Sequence, residues 1–170
     1  MADPLKAPSP KARPVAKPRP QYGALPYRTG DGLEILLITS RETGRWVIPK
    51  GWPIKGKSAS VTAAKEALQE AGLQGEIGKR PLGAYVYMKF LKSGEGRACK
   101  VRVFALKVTG QKEVWREKGQ RTVAWFSWED AAAAVQERAL SRLIRKHAKR
   151  VIKAGAAKPS ARAPGVDPGD

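Results

Sequence analysis

The chain has 170 residues, a length that suits one domain with an ordinary core and tails. Its formal charge of +18 and pI near 10.4 point to polyanionic partners (nucleic acid, polyphosphorylated metabolites or anionic lipid), alongside basic tails that simply solvate the protein. Cys99 is the only cysteine, which excludes an intrachain disulfide, and no apolar run approaches the roughly 20 residues of a membrane helix, so a cytoplasmic protein without membrane contact is expected.

Residues 1–20 alternate proline, alanine and basic side chains with almost nothing to bury, the composition of a disordered basic arm. Such an arm reads first as a solubilising extension and second as a weak tether to RNA or another polyanion. Residues 21–28 are a short strand candidate. The Thr29-Gly-Asp-Gly32 run then predicts a hairpin turn in which glycine and aspartate take positive φ. Residues 33–39 (LEILLIT) form a continuous apolar run, as expected of a strand buried on both faces. A turn over 40–44 leads to another short strand at 45–48, which delivers Lys50 and Gly51 to the next segment.

That segment, GWPIKGKSASVTAAKEALQEAGL over residues 51–73, begins as a loop with glycine and proline and becomes a helix. Ser58 or Ser60 caps its start, and Gly72 suits the left-handed position that ends it. Val61, Ala64, Leu68 and Ala71 share one face and predict the stripe that packs on a core. Glu66 and Glu70 lie one turn apart on roughly the opposite side, with Cβ atoms about 5–6 Å apart. Two like charges so placed repel unless a cation sits between them, and hard oxygen ligands suit magnesium or manganese.

Residues 74–80 are polar with turn residues. Residues 82–91 alternate as a strand, with Tyr85 and Tyr87 on one face and Val86 and Met88 on the other, and 92–97 form a hairpin loop. The clearest alternation lies in 99–108, where Lys100, Arg102 and Lys107 point away from Val101, Val103 and Leu106. Cys99 belongs to this strand as a small core residue rather than a nucleophile. Lys89, Lys100 and Arg102 are candidates for a basic groove beside the acidic helix, and equally for a solvated outer face.

Residues 112–118 are polar around Trp115. Glu117 there reads more simply as an exposed loop side chain than as a partner of metal or water. Residues 121–128 predict the last strand, and Ser127 caps a short alanine-rich segment. A final helix over 137–153 places Leu140, Leu143, Ile144, His147 and Val151 inward and Arg138, Arg142, Arg145, Lys149 and Lys153 outward. The lone His147 reads as a packing residue. The basic stripe reads as a solvated face, with RNA or membrane binding as the sharper option. Residues 154–170 predict a second disordered tail, which leaves 21–153 as the domain.

The 51–73 segment resembles the Nudix box, G-x5-E-x7-R-E-U-x-E-E-x-G-U with U aliphatic. Gly51, Glu66, Glu70, Gly72 and Leu73 stand at matching positions. Lys57 stands for the first glutamate, Lys65 for the arginine, Ala67 for the aliphatic residue and Gln69 for the first of the paired glutamates. The preceding RWVIPKGWP run and the Trp115, Glu117, Arg121, Trp125 spacing are similar to the diphosphoinositol-polyphosphate phosphohydrolase branch, including its bacterial relatives. The resemblance implies an α/β (α+β) Nudix fold, a mixed β-sheet sandwiched between helices.

It also implies a site. A Mg²⁺ (or Mn²⁺) ion would be held by Glu66, Glu70, the Gly51 carbonyl and the Gln69 amide oxygen. Lys65 would stand beside the catalytic glutamates with charge but without a bidentate fork. Lys50, Lys57, Arg45, Lys89 and Arg121 are the phosphate-binding candidates. The implied function is metal-dependent hydrolysis of a diphosphate (phosphoanhydride) linkage in a highly anionic small molecule, such as a diphosphoinositol polyphosphate, a dinucleoside polyphosphate or a nucleoside diphosphate derivative. The altered box keeps open an alternative, a weakly catalytic or non-catalytic domain that binds RNA or polyphosphate through its basic surface. Removal of pyrophosphate from RNA 5′ ends lies between the two. Both monomer and homodimer fit the sequence.

Overall fold

Ile35, Leu36, Leu37 and Ile38 are all fully buried in β2 (Leu33–Thr39), which requires packed layers on both faces of its sheet. The computed structural model describes residues 16–156, so most of the predicted arm and tail lies outside the described residues. β2 pairs antiparallel with β1 (Arg19–Thr29), and β1 runs parallel to β7 (Gly96–Gln111), with Arg19 opposite Cys99 and Tyr27 opposite Lys107. β3 (Trp46–Val47) and β8 (Val123–Ser127) pair with β2, β4 (Lys50–Gly51) with β1, and β5 (Leu73–Ile77) and β6 (Gly83–Phe90) with β7. The result is one mixed eight-stranded sheet.

Successive strand residues face opposite sides, and here both sides are covered. Leu25, Ile35, Leu37, Val101 and Val103 face α2 (Trp128–Ala134) and α3 (Arg138–Ala156), whose Ala131, Leu140 and Ile144 complete that layer. Ala24, Leu36, Ile38, Phe104 and Leu106 face the other way, against Ala63, Ala67 and Ala71 of α1 (Ala59–Ala71). Each large aliphatic side chain so buried contributes roughly 1.5–3 kcal/mol. The central strands therefore supply the rigid floor on which α1 is laid.

Ser58 caps α1 by accepting the Val61 N–H at 3.3 Å, and Gly72 ends it in the left-handed region at φ 70°. A Cβ at Gly72 would also run into the Trp115 ring. The expected inner stripe is corrected. Val61 is 40% exposed, and it is Ala63, Ala67 and Ala71 that meet the sheet. Alanine lets the two backbones approach where valine or leucine would hold them apart, so the smallest side chains take the inner face. At about 100° per residue this places Glu66 and Glu70 on the flank of the buried stripe rather than opposite it. Glu70 is accordingly only 7% exposed.

Two smaller expectations also change. The hairpin closes with Thr29 opposite Leu33, yet neither Gly30 nor Gly32 takes a positive φ. Residues 74–77, expected among turns, join Leu73 in β5, whose middle side chains face solvent and so show no apolar alternation. β1 begins at Arg19 and α3 ends at Ala156, slightly beyond the predicted limits of 21 and 153. Among the described residues no helix is long and apolar enough to cross a membrane.

On α3 the inward residues include His147, which packs edge-on to Tyr27 with ring centroids 4.7 Å apart. Neither imidazole nitrogen has a hydrogen-bond partner. Burial, helped by the charge of Arg150, lowers its pKa from 6.5 to about 4. The unfolded chain therefore takes up this proton first: the penalty is absent above the ordinary value and grows as pH falls toward the folded one. Between roughly pH 7.5 and 5 the wild type should lose about 2 kcal/mol more stability than His147→Leu in urea unfolding. Equal losses would place the acid sensitivity elsewhere.

Candidate active site

β4 forms the first wall of the site. Tyr22 of β1 stands opposite Gly51 and Gly23 opposite Lys50, so strand pairing fixes the main chain at Gly51. A Cβ on Gly51 would run into the Glu66 carboxylate; only glycine lets that side chain lie against the backbone. One helical turn further on, Glu70 accepts the Lys50 backbone N–H at 3.2 Å and the Arg121 guanidinium at 3.2 Å.

Arg121 stands in the loop between β7 and β8, its side chain only 10% exposed. It also donates to the Thr39 carbonyl at 3.1 Å and lies 3.6 Å from Glu117. Arg41 grips Glu117 from another direction at 3.1 Å and donates to Gln120 at 2.9 Å. One guanidinium thus ties together the end of β2, helix α1 and the β7–β8 loop.

These groups open on a cleft of about 810 Å³. Arg41, Arg45, Lys50, Lys89, Arg116 and Arg121 line it, facing Glu42, Glu66, Glu70, Glu117 and Glu137. Arg45 donates to Glu137 at 3.1 Å and to Gln136 at 2.6 Å. The Lys50 ammonium lies over the Tyr87 ring, 4.9 Å from its centroid, and the Tyr87 hydroxyl donates to Gln21 at 2.7 Å. Trp52 carries Arg19 and Lys89 over its ring at 5.5 and 5.3 Å.

Of the residues singled out in the sequence, Gly51, Glu66, Gln69, Glu70, Arg45, Lys50, Lys89 and Arg121 meet at this cleft. Lys57 and Lys65 are exposed and do not line it. Strand parity decides between the two readings left open for Lys89, Lys100 and Arg102: the last two lie on a solvated outer face. Lys100 stands opposite Val86 and Arg102 opposite Ala84, on the face away from Tyr85, Tyr87 and Lys89, so only Lys89 of the three reaches the cleft. Arg41, Arg116 and Gln120 join the site without a local signal; Arg41 and Gln120 are 79 positions apart.

Burial dominates the electrostatics. It raises the Glu66 pKa, with Glu117 adding to the effect, and raises that of Glu70 to about 7 against the pull of Arg121 and Lys50. It also lowers the Lys50 pKa. Two desolvated carboxylates, the Gln69 amide and the Gly51 main chain make an oxygen-rich donor set that fits a hard divalent cation such as Mg²⁺ or Mn²⁺. Among the described residues no three His, Cys, Asp or Glu side chains converge into a cage made by the protein alone. Magnesium keeps several waters and takes substrate oxygens, so a partial donor set suits it.

The folded pKa of Glu70, about 7, lies above its ordinary 4.5. The stability of the protonated form is therefore full below the ordinary value and is lost as pH rises through the folded one. In chelator, Glu70→Gln should be about 3 kcal/mol more stable than the wild type at pH 8 and within about 1 kcal/mol of it at pH 5, by urea titration. A variant less stable at the higher pH would show that the Arg121 pair outweighs burial.

A sequence model of the NUDIX domain matches residues 17–147. Nudix hydrolase 12, mitochondrial, of Arabidopsis thaliana is 31% identical over 120 residues, covering 66% of this chain and 59% of that protein. Diphosphoinositol polyphosphate phosphohydrolase 3-alpha of Mus musculus is 32% identical over 106 residues, 61% of this chain and 60% of that one. The chain thus spans about three fifths of the length of these relatives. Among solved structures, a C. elegans Ap4A hydrolase superposes with a TM-score of 0.58 at 19% identity, over 79% of this chain and 99% of that one. The NUDIX domain of Shewanella oneidensis NrtR, complexed with ADP ribose, gives 0.59 at 16% identity, over 85% and 94%. At such identities the structural likeness speaks to the fold, a Nudix fold. With the sequence match spanning most of the described residues and this fold beneath it, the chain belongs to the NUDIX domain family.

Proposed function

We propose that the chain is a divalent-metal-dependent hydrolase of phosphoanhydride bonds in small, highly anionic molecules. Diphosphoinositol polyphosphates, dinucleoside polyphosphates and nucleoside diphosphate derivatives are the substrate classes. The observation that carries this reading is the placement of the half-buried Glu66 and the buried Glu70 in one cleft with six basic side chains. The names of two similar proteins, a diphosphoinositol polyphosphate phosphohydrolase and an Ap4A hydrolase, support the class of bond. The buried, unpaired Cys99 suits a reducing compartment, and we place the activity in the cytosol.

A bound Mg²⁺ or Mn²⁺ ion would neutralise phosphoryl oxygens and lower the pKa of water. The chain's own residues supply position and charge, which dominate phosphoryl transfer. Lys50, Arg45 and Lys89 hold the non-reacting phosphates. The proton of the attacking water passes to Glu66 or Glu117, close enough that Glu117 raises the proton affinity of Glu66. Arg121 orients Glu70 and Glu117 through one guanidinium nitrogen, Nη2, while Nη1 is anchored on the Thr39 carbonyl, a role that Lys65, exposed on α1, does not reach.

Glu70→Gln should lower Mg²⁺-dependent phosphate release by roughly 100-fold across a panel of inositol pyrophosphates, dinucleoside polyphosphates and triphosphorylated RNA. Undiminished turnover would remove Glu70 from the mechanism. Two observations favour a second reading: both Glu70 oxygens already have donors, and Gln69 stands where the box has a carboxylate. A domain that only binds polyphosphate or RNA would show no metal-dependent turnover on any member of that panel, yet bind with a steep dependence on salt.

A further inference from the structure

Helix α3 carries an unbroken positive stripe outside the cleft. Arg142, Arg145, Lys146, Lys149, Arg150 and Lys153 are all exposed, as is Arg138 at its start, and residues 138–156 contain no acidic side chain. At about 100° per residue these groups fall within a sector about 140° wide, and at about 1.5 Å per residue they extend over about 22 Å. None of the ion pairs among the described residues involves this helix.

Like charges instead sit one turn apart, as in Arg142–Lys146, Arg145–Lys149, Lys146–Arg150 and Lys149–Lys153. Each such pair opposes the helix. The helix dipole favours the basic residues of the last turn but works against Arg138 and Arg142 near the first. What holds the helix is its other face, where Leu140, Ile144, His147 and Ala148 are buried. A helix that needed only solvation would mix its signs; this one leaves a repulsion that a polyanion laid along it would relieve.

We propose that the exposed face of α3 is a docking surface for the phosphodiester backbone of nucleic acid, recognised by charge and not by base. One observation chooses nucleic acid over a lipid surface. An amphipathic helix lying on a bilayer must offer it an apolar face. The apolar face of α3 is already buried in the core, and Ile152, 49% exposed, is the large apolar side chain left outside. Four of the seven basic residues, Arg138, Arg142, Arg145 and Arg150, are arginines, whose planar fork suits the phosphate oxygens of either source two at a time. Because none of these residues lines the cleft, the surface stands whether or not the chain hydrolyses anything.

The test uses the full chain and a labelled single-stranded RNA of about 20 nucleotides, read by fluorescence anisotropy across roughly 50–300 mM KCl. Arg142→Glu/Lys149→Glu replaces repelling pairs by attracting ones, so its Tm should equal or exceed that of the wild type. Its affinity should fall about tenfold or more, with the salt slope shallower by about 1.4, the share of two phosphate contacts. The neutral pair Arg142→Gln/Lys149→Gln should show a smaller loss of the same kind, and it answers the question if the reversal disturbs the fold. Lys79→Glu/Lys112→Glu makes the same change in net charge at exposed positions off the helix and should alter affinity less than about threefold. The proposal fails if that control loses as much as the α3 variant, or if the α3 variants bind like the wild type. It also fails if phosphatidylserine vesicles bind the chain more tightly than RNA does.

Discussion

The Arg121 guanidinium joins parts of the chain that the backbone leaves separate. It meets the Thr39 carbonyl at the end of β2, Glu70 on α1 and Glu117 in its own loop. Such a buried pair adds little net stability, because taking both charges out of water offsets most of their attraction. The raised pKa of Glu70 has the same origin, since burial outweighs the neighbouring positive charge. What the contact supplies is position. The end of β2 is held in one arrangement with the two elements that carry Glu70 and Glu117.

That arrangement is sustained by packing elsewhere. Glu66, Glu70 and Lys50 are all desolvated, and each would be more comfortable in water. They stay in place because α1 is pressed onto the sheet by Ala63, Ala67 and Ala71, and because β4 is pinned by pairing with β1. Sites built on rigid elements commonly trade local stability for a preset geometry in this way. The same logic gives Gly51 its place: the carboxylate of Glu66 occupies the space a side chain would need.

How much of this could be read from the residues alone depends on the range of the contact concerned. The caps of α1 are local, and Ser58 and Gly72 stand where side-chain and backbone chemistry put them. β2 is equally legible, because a strand buried on both faces must be apolar throughout. The inner face of α1 is not, since Val61 and Leu68 are more hydrophobic than the alanines that displaced them, and only the closeness of the sheet decides. β5 escapes for the opposite reason: an exposed edge strand is defined by the partner it pairs with, not by its own pattern. In the site, Glu66, Glu70 and Gly51 lie within one motif, whereas Arg121 meets Glu70 across 51 positions and Arg41 meets Gln120 across 79. No periodicity carries information over such distances; pairing and parity do, and parity turned Lys100 and Arg102 away while leaving Lys89 in place.

The chemistry proposed for this cleft rests on a cation seated between two carboxylates of one helix. A crystal soaked with manganese and a non-hydrolysable diphosphate, measured at the manganese absorption edge, observes that cation without relying on turnover. An anomalous peak about 2–2.3 Å from oxygens of both Glu66 and Glu70 is the expected result. A map with the diphosphate bound but no peak at those carboxylates would contradict it.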